Sequence, residues 1–172
     1  MARMTIAGPA PSALASPLIA PAPLRIGRLQ VDCPVLIAPM VGITDGPFRR
    51  LAREFGAGLV SAEMTAAEPV VRRIPRTLEL LTFDPGVRPV AAQLVGCDPA
   101  MMAEAAVICV ERGASVVDVN LGCPVPRVTT RGSGAGLARD VAAAARVIRA
   151  ISRHAFFASE QIDSGSPIAS TS

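Results

Sequence analysis

Aromatic side chains, lysine and paired cysteines are scarce or missing in this chain of 172 residues. Aromatic residues make up 3% of the sequence, with no Trp and no Tyr, so a core must be built from Ala, Val, Leu, Ile and Met. The four cysteines include no C-x-x-C pair and there is a single His, which argues against a zinc site and against a disulfide framework. A reducing cytoplasm is therefore the simplest compartment, and no metal is expected.

Long apolar runs are also missing. No stretch is long enough to span a membrane, so we expect no membrane association. Residues 1–23 are rich in Ala and Pro, and the prolines interrupt any run that could form a signal-peptide core, so we predict a flexible leader there. The formal net charge is +3 and all 17 basic residues are Arg, a composition compatible with an RNA partner but not evidence for one.

Short apolar runs alternate with helix-like segments four times after the leader. Strands and helices are predicted, in alternation, at 35–38, 45–56, 58–62, 75–81, 89–95, 98–112, 115–119 and 140–151. Because each strand is apolar on both faces, the pattern favours parallel strands covered by helices. It fits a closed barrel or an open sheet, although no G-x-G-x-x-G follows the first strand, which weakens the choice of a dinucleotide-binding sheet.

A cysteine follows the fourth predicted strand directly, in the run Asn120-Leu121-Gly122-Cys123-Pro124. In a (β/α) barrel the carboxyl ends of the strands face the active site. Because Cys123 lies between Gly and Pro, we expect it on a turn rather than in a helix. The alternative is a small buried thiol, but the flanking Asn and the position at a strand end favour a functional one.

Five motifs lie at the predicted strand ends and in the loops that follow them: Ala38–Arg49, Ser61–Met64, Gln93–Gly96, Asp118–Pro124 and Gly132–Leu137. In order and spacing they resemble those of tRNA-dihydrouridine synthases, most closely the bacterial B-type branch. Gly136 stands where that family usually has Ser. The resemblance implies an α/β fold, namely a partial (β/α)8 TIM barrel of about the first four β/α units, with a truncated FMN-dependent catalytic domain over residues 24–151.

Members of this family reduce the C5–C6 double bond of particular uridines in tRNA. Reduced FMN supplies a hydride to C6, a cysteine thiol supplies a proton to C5, and NADPH recharges the flavin. The resemblance therefore implies FMN and NADPH as cofactors, tRNA as substrate and Cys123 as the proton donor. A thiol of ordinary acidity is protonated at neutral pH and can act as a general acid within hydrogen-bond reach of the base. The target uridine would have to leave its base stack.

The resemblance also assigns residues to the flavin. Pro39, Met40 and Val41 correspond to the segment along the flavin, where backbone groups can meet the ring edge and the Met40 side chain can pack on the ring. Gln93 corresponds to a residue that bonds the ring, and its amide offers both donors and acceptors. A plain strand end and a solvated rim glutamine are the respective alternatives.

Substrate contacts are assigned in the same way. Asn120 corresponds to a residue near the flavin and the target uracil, and Glu63 is a weaker candidate. Their alternatives are a turn-forming Asn and a surface carboxylate. Three arginines near the loop after Cys123 could contact tRNA phosphates or form a solvated charged rim: Arg127, Arg131 and Arg139. The other cysteines match no catalytic position, and Cys109 is predicted to lie in the core.

Parts of the family pattern have no counterpart in the sequence. The family has a flavin-binding Lys on a later strand, and this chain has no Lys. Residues 152–172 are rich in Ser and hold no strand-like run, so we predict a divergent, disordered tail. We expect the chain to stop about halfway round the barrel and to expose the edges of its first and fourth strands, which would favour self-association.

Two other functions stay open. A related FMN barrel such as a dihydroorotate dehydrogenase has a similar Asn-x-x-Cys-Pro strand end, although the opening Pro-Met-Val-Gly-Ile-Thr-Asp motif favours the tRNA enzyme. A non-catalytic fragment would retain the fold without flavin uptake or dihydrouridine formation.

Overall fold

The structure, a computed structural model, describes residues 22–164. The predicted leader, 1–23, lies almost wholly outside the described residues, as do residues 165–172 of the predicted tail. The strands are β1 (Leu24–Ile26), β2 (Leu29–Val31), β3 (Val60–Ser61), β4 (Thr65–Ala66), β5 (Val90–Val95) and β6 (Val116–Val119). The helices are α1 (Gly46–Glu54), α2 (Ala67–Val71), α3 (Pro75–Leu80), α4 (Pro99–Glu111), α5 (Pro126–Thr129), α6 (Ala135–Ala138) and α7 (Val141–Ser164).

Four chain segments form a parallel sheet in the order in which they occur in the sequence. Leu36 makes a parallel bridge with Leu59, β3 and β4 pair with the two ends of β5, and β5 pairs with β6. β3 and β4 are therefore one strand position, interrupted at residues 62–64. A doubly wound sheet reverses its strand order near the middle, whereas a barrel keeps consecutive strands adjacent. The α/β fold is thus consistent with part of a TIM barrel.

The two faces of this sheet differ in chemistry. On β5, the residues that face the helices are apolar and belong to the main core: Val90, Ala92 and Leu94. On the opposite, inner face, Ala91 packs with Leu59 and Val31 in a smaller cluster. That cluster is closed by the antiparallel hairpin of β1 and β2, which the sequence analysis did not predict. Side chains alternate along a strand, so Gln93 also lies on the inner face.

The prediction that every strand is apolar on both faces is therefore wrong for the inner face. Towards the carboxyl ends of the strands that face carries Ser61, Gln93 and Asp118. Polar side chains are tolerated there because they can bond to one another across neighbouring strands.

The predicted first strand, 35–38, is also not the buried strand that was expected. Only Leu36 forms a bridge, and Val35 and Leu36 are 55% and 44% exposed. Within the described chain this segment has a neighbour on one side only, which leaves its apolar side chains uncovered.

The starts of three helices follow from local sequence, as predicted. The Asp45 side chain accepts from the Phe48 N–H at 2.9 Å, and the Asp98 side chain accepts from the Met101 N–H at 2.7 Å. Asp140 caps α7 in the same way, at 2.9 Å from the Ala143 nitrogen. Each carboxylate satisfies a backbone N–H that has no partner within the first turn of its helix.

Helix α7 does not end at Ile151 as predicted but continues to Ser164. Residues 152–164, which were assigned to a disordered tail, are therefore helical. The physical reason is that the segment contains no Gly or Pro, the residues that stop helices, before Gly165. None of the helices in the described range is long and apolar enough to cross a bilayer.

Cys109 is fully buried on α4, as predicted, and this burial makes a pH prediction. Burial raises the pKa of the Cys109 thiol from 9.0 to about 12, against the opposing effect of Arg112. The unfolded chain would lose this proton near pH 9, whereas the folded chain keeps it up to about pH 12. The stability from Cys109 is therefore fully present below pH 9 and is lost as the pH rises from 9 towards 12.

We expect the free energy of unfolding to fall above pH 9, by at most about 1.4 kcal/mol per pH unit for this one group. The pH range from 9 to 12 suits this measurement because the chain has no Lys and no Tyr, which would also titrate there. Urea unfolding from pH 7 to pH 11 should give a flatter profile for Cys109→Ala than for the unmodified chain. Parallel profiles would contradict the assignment.

Candidate active site

Three polar side chains meet on the inner face of the sheet near the carboxyl ends of β5 and β6. Gln93 lies on β5 and is 7% exposed, and Asp118 is its partner in register on β6. Gln93 Nε2 donates to Asp118 Oδ2 at 2.6 Å. Asn120, directly after β6, donates from Nδ2 to Gln93 Oε1 at 2.9 Å. The two strand ends are thus joined by a continuous network of side chains.

The backbone after β6 fixes which atom of each amide side chain in this network donates and which accepts. The Asn120 Oδ1 accepts from the N–H groups of Gly122 at 3.2 Å and Cys123 at 2.9 Å. Because those two groups can only donate, the oxygen of the Asn120 amide must face them and its nitrogen must face Gln93. Gln93 then presents its oxygen to Asn120 and its nitrogen to Asp118. Asn120 is therefore a turn-forming residue and also a member of the network.

Cys123 lies on the turn that Asn120 holds. Its side chain is half-buried, and it belongs to neither apolar cluster of the described residues. Its carbonyl accepts from the Ala135 N–H at 3.0 Å, which folds the following glycine-rich loop back onto the turn. The thiol therefore stands at the carboxyl end of β6, at the sheet edge where the sequence analysis expected it.

The loop after the first strand position is closed by Thr44, which is fully buried. The Thr44 hydroxyl accepts from the Met40 N–H and donates to the Met40 carbonyl, both at 3.1 Å. Glu63 ties this loop to the second strand position, since its Oε2 accepts from the Gly42 N–H at 2.8 Å. The backbone of Met40 is therefore occupied, whereas the N–H of Val41, a residue 64% exposed, has no acceptor within the described chain.

Arg49 is a site residue to which the sequence analysis gave no role. It is buried, and it donates to the carbonyls of Thr44 at 2.6 Å and Thr82 at 3.0 Å. Burial lowers the pKa of its guanidinium, although Asp45 and Glu63 oppose this. Arg49 therefore supports the loop that carries Met40 and Val41. The signal in the sequence was its spacing of three from Ala52, which packs on the core side of α1.

Other candidates lie away from this network. Three arginines near the loop after Cys123 are exposed: Arg127, Arg131 and Arg139. Their exposure fits both predicted roles, as contacts to tRNA and as a solvated charged rim. Cys97 is exposed, and its thiol donates to the Arg131 carbonyl at 3.1 Å. Within residues 22–164, no His, Cys, Asp or Glu side chains are grouped so that three could hold a metal ion.

A groove of about 740 Å³ lies between α1 and the segment 79–87. Its walls come mainly from α1 and from that segment, with Glu63 and Val90 completing them, and it includes neither Gln93 nor Cys123. Size alone would make it a ligand site. It lies on the helix side of the sheet, however, so it is not where the polar network and the thiol meet.

Consecutive parallel strands, with a polar network and a cysteine at their carboxyl ends, are typical of the active-site side of a (β/α)-barrel enzyme. Residues 36–155 match the family model described as dihydrouridine synthase (Dus), and the chain belongs to this family.

Curated relatives agree with this assignment. The chain is 43% identical over 139 residues to the "Probable tRNA-dihydrouridine synthase" of Rhodobacter capsulatus, covering 74% of this chain and 40% of the relative. It is 39% identical over 130 residues to tRNA-dihydrouridine synthase B of Pseudomonas aeruginosa, covering 76% and 39%. With the B protein of Salmonella typhimurium the identity is 44% over 116 residues, covering 66% and 36%. The chain thus spans about two fifths of the length of the relatives it matches.

Two glycines in the loop that follows Cys123 test how closely this loop packs against the turn that carries Cys123. Gly132 and Gly134 both have positive φ, of 70° and 58°. A Cβ at Gly132 would meet nothing closer than Cys97 Sγ at 3.8 Å, whereas one at Gly134 would lie 2.8 Å from the Cys123 carbonyl oxygen. We expect Gly132→Ala to lower the free energy of unfolding by about 1–2 kcal/mol through backbone strain alone. Gly134→Ala should lower it further, and equal losses in urea unfolding would contradict this packing.

Proposed function

We propose that this chain acts in the cytoplasm in the reduction of uridine in tRNA to 5,6-dihydrouridine, with FMN and NADPH as cofactors and Cys123 as proton donor. The observation that carries the proposal is the network that joins the turn of Cys123 to Gln93 at the carboxyl ends of two adjacent strands. FMN, when bound, would supply the hydride to C6 of the uracil and would be reduced again by NADPH.

The residues present fit the ring portion of the flavin. An amide side chain has two N–H donors and an oxygen with two lone pairs. Asp118 and Asn120 occupy one donor and one lone pair of Gln93, so one of each remains for a pyrimidine-like ring edge. From the predicted segment Pro39–Val41, the free Val41 N–H and the half-buried Met40 side chain are available, rather than the Met40 backbone.

The groups around Cys123 fit the uracil. The two hydrogen bonds of the Cys123 backbone hold its Cα at the carboxyl end of β6, so the thiol stays beside the place where C5 of the uracil would receive its proton. Asn120 retains a second amide N–H for a uracil carbonyl. One oxygen of Glu63 is taken by the Gly42 N–H, and the other remains to accept from a uracil N–H. Exposed Arg127 and Arg131 would contact tRNA phosphates.

The test of this function removes the proton donor. Cys123→Ser should lower dihydrouridine formation by about 100-fold or more, the range expected for loss of a general acid. The assay incubates the full chain with FMN, NADPH and tRNA that lacks dihydrouridine, and measures the modified nucleoside by mass spectrometry. Cys97→Ser is the matched control, because it removes an exposed thiol outside the network, and it should leave the rate unchanged.

The other outcomes separate the alternatives. Equal rates for Cys123→Ser and the unmodified chain would contradict the role of Cys123. Activity on dihydroorotate, with none on tRNA, would favour the related flavin barrel. No flavin absorbance and no dihydrouridine from any variant would favour the non-catalytic fragment.

We also propose that copies of this chain associate through the edges of the sheet. Within the described residues, β6 pairs only with β5, and the Leu36 N–H has no acceptor. Sheet edges with unpaired backbone groups are templates for pairing with another chain. The neighbouring apolar side chains of Val35 and Leu36 would be covered in the same contact.

Leu36→Pro should weaken this association, because it removes an N–H that has no acceptor among residues 22–164. Leu36→Ala is the control, since it shortens the side chain but keeps the N–H. We expect sedimentation velocity to detect species larger than one chain for the unmodified protein and for Leu36→Ala, and fewer of them for Leu36→Pro. A monodisperse monomer of the unmodified chain would contradict the proposal.

A further inference from the structure

Asp118 is the member of the polar network to which neither the sequence analysis nor the proposed chemistry gives a role. It lies on the inner face of β6, half-buried, directly opposite Gln93. Its one hydrogen bond in the described structure is the short contact of 2.6 Å from Gln93 Nε2. No arginine of the described residues pairs with it. A half-buried carboxylate is therefore committed to a neutral amide, an unusual use of a charge that water would otherwise solvate.

We propose that Asp118 is a positioning residue that holds the Gln93 amide in one orientation and, through Asn120, steadies the turn of Cys123. The inference rests on the proposed function, because it concerns the same site.

The orientation of the Gln93 amide depends on which neighbouring groups can donate and which can accept. An ionised carboxylate only accepts, so it selects the nitrogen end of the Gln93 amide. At the other end of the network the N–H groups of Gly122 and Cys123 only donate, so they select the oxygen end of Asn120. The two amides between these ends therefore have one orientation in which every contact pairs a donor with an acceptor.

The carboxylate also limits the motion of Gln93. Held by Asn120 alone, the amide could rotate about that single bond. Held by Asn120 and Asp118 together, it is fixed at both of its polar atoms. The charge makes the second contact stronger than a bond between neutral groups. The free N–H and free lone pair of Gln93 then point in fixed directions, as recognition of a ring edge requires.

Two substitutions test this role by their effect on the amides. Asp118→Asn keeps the shape and one acceptor but removes the charge, and Asp118→Leu removes the acceptor as well. We expect hydrogen exchange of the Gln93 side-chain N–H groups, followed by NMR, to accelerate by about tenfold in Asp118→Leu, the size expected for loss of one charge-assisted hydrogen bond. Asp118→Asn should be intermediate. Glu104→Gln, which removes one exposed charge on α4, should match the unmodified chain.

A second readout follows the effect to the turn. In a background that carries both Cys33→Ser and Cys97→Ser, Cys123 is the remaining thiol outside the core. We expect iodoacetamide to alkylate it fastest in Asp118→Leu, more slowly in Asp118→Asn and slowest in the chain with Asp118 unchanged. A role in general stability would move the unfolding midpoint without this order. If both Asp118 variants keep the exchange and alkylation rates of the unmodified chain, the inference is overturned. If Asp118→Leu does not fold, the charge-only variant Asp118→Asn decides by the same two measurements.

Failure of this inference and failure of the proposed function can be told apart. Loss of dihydrouridine formation in Cys123→Ser, together with unchanged amide exchange in the Asp118 variants, would retain the function and reject the positioning role. Faster amide exchange, without dihydrouridine from any variant, would retain the positioning role and reject the function.

Discussion

The buried amide of Gln93 must find hydrogen-bond partners, and this requirement fixes the rest of the site. An amide placed out of water without partners costs several kcal/mol, about 2–7 by transfer measurements. Its partners come from the next strand along the chain, so β5 and β6 must pair with Gln93 opposite Asp118. A slip of one residue would turn Asp118 to the helix side and leave both groups unsatisfied. The same register sets where β6 ends, and therefore where Cys123 stands.

The two faces of the sheet around this network have different roles. The helix side of the sheet supplies the apolar core, in which β5 packs against α4 and α4 packs against α7. The hairpin of β1 and β2 closes the inner face at the amino ends of the strands, so polar side chains remain only at the carboxyl ends. Arg49 and Thr44 hold the loop that follows the first strand position beside these carboxyl ends. Membership of the dihydrouridine synthase family is in keeping with this division, because Gln93, Asn120 and Cys123, which lie in motifs that resemble those of the family, meet at one end of the sheet.

Predictions that depended on neighbouring residues were the ones confirmed. Helices α1, α4 and α7 begin where the sequence predicted, because the carboxylate that caps each one, of Asp45, Asp98 or Asp140, needs only the next turn of its own chain. Cys109 is in the core because helical spacing places it on the apolar face of α4. The prediction of a buried strand at 35–38 was wrong, because the run is apolar but has a strand on one side only. The prediction of a disordered tail was wrong for residues 152–164, because a Ser-rich segment without Gly or Pro can continue a helix that has already begun.

The sequence by itself determined the alternation of strands and helices, the starts of three helices, the family and the position of Cys123 after a strand. These follow from periodicity and from motifs read along one chain. Only the tertiary structure decided that Gln93 is bonded to Asp118 and Asn120, that the Met40 backbone is occupied by Thr44, and that Arg49 is buried beneath the loop. Such contacts join residues far apart in the sequence, and strand register and loop closure, which bring them within hydrogen-bond distance, exist only once the chain has folded.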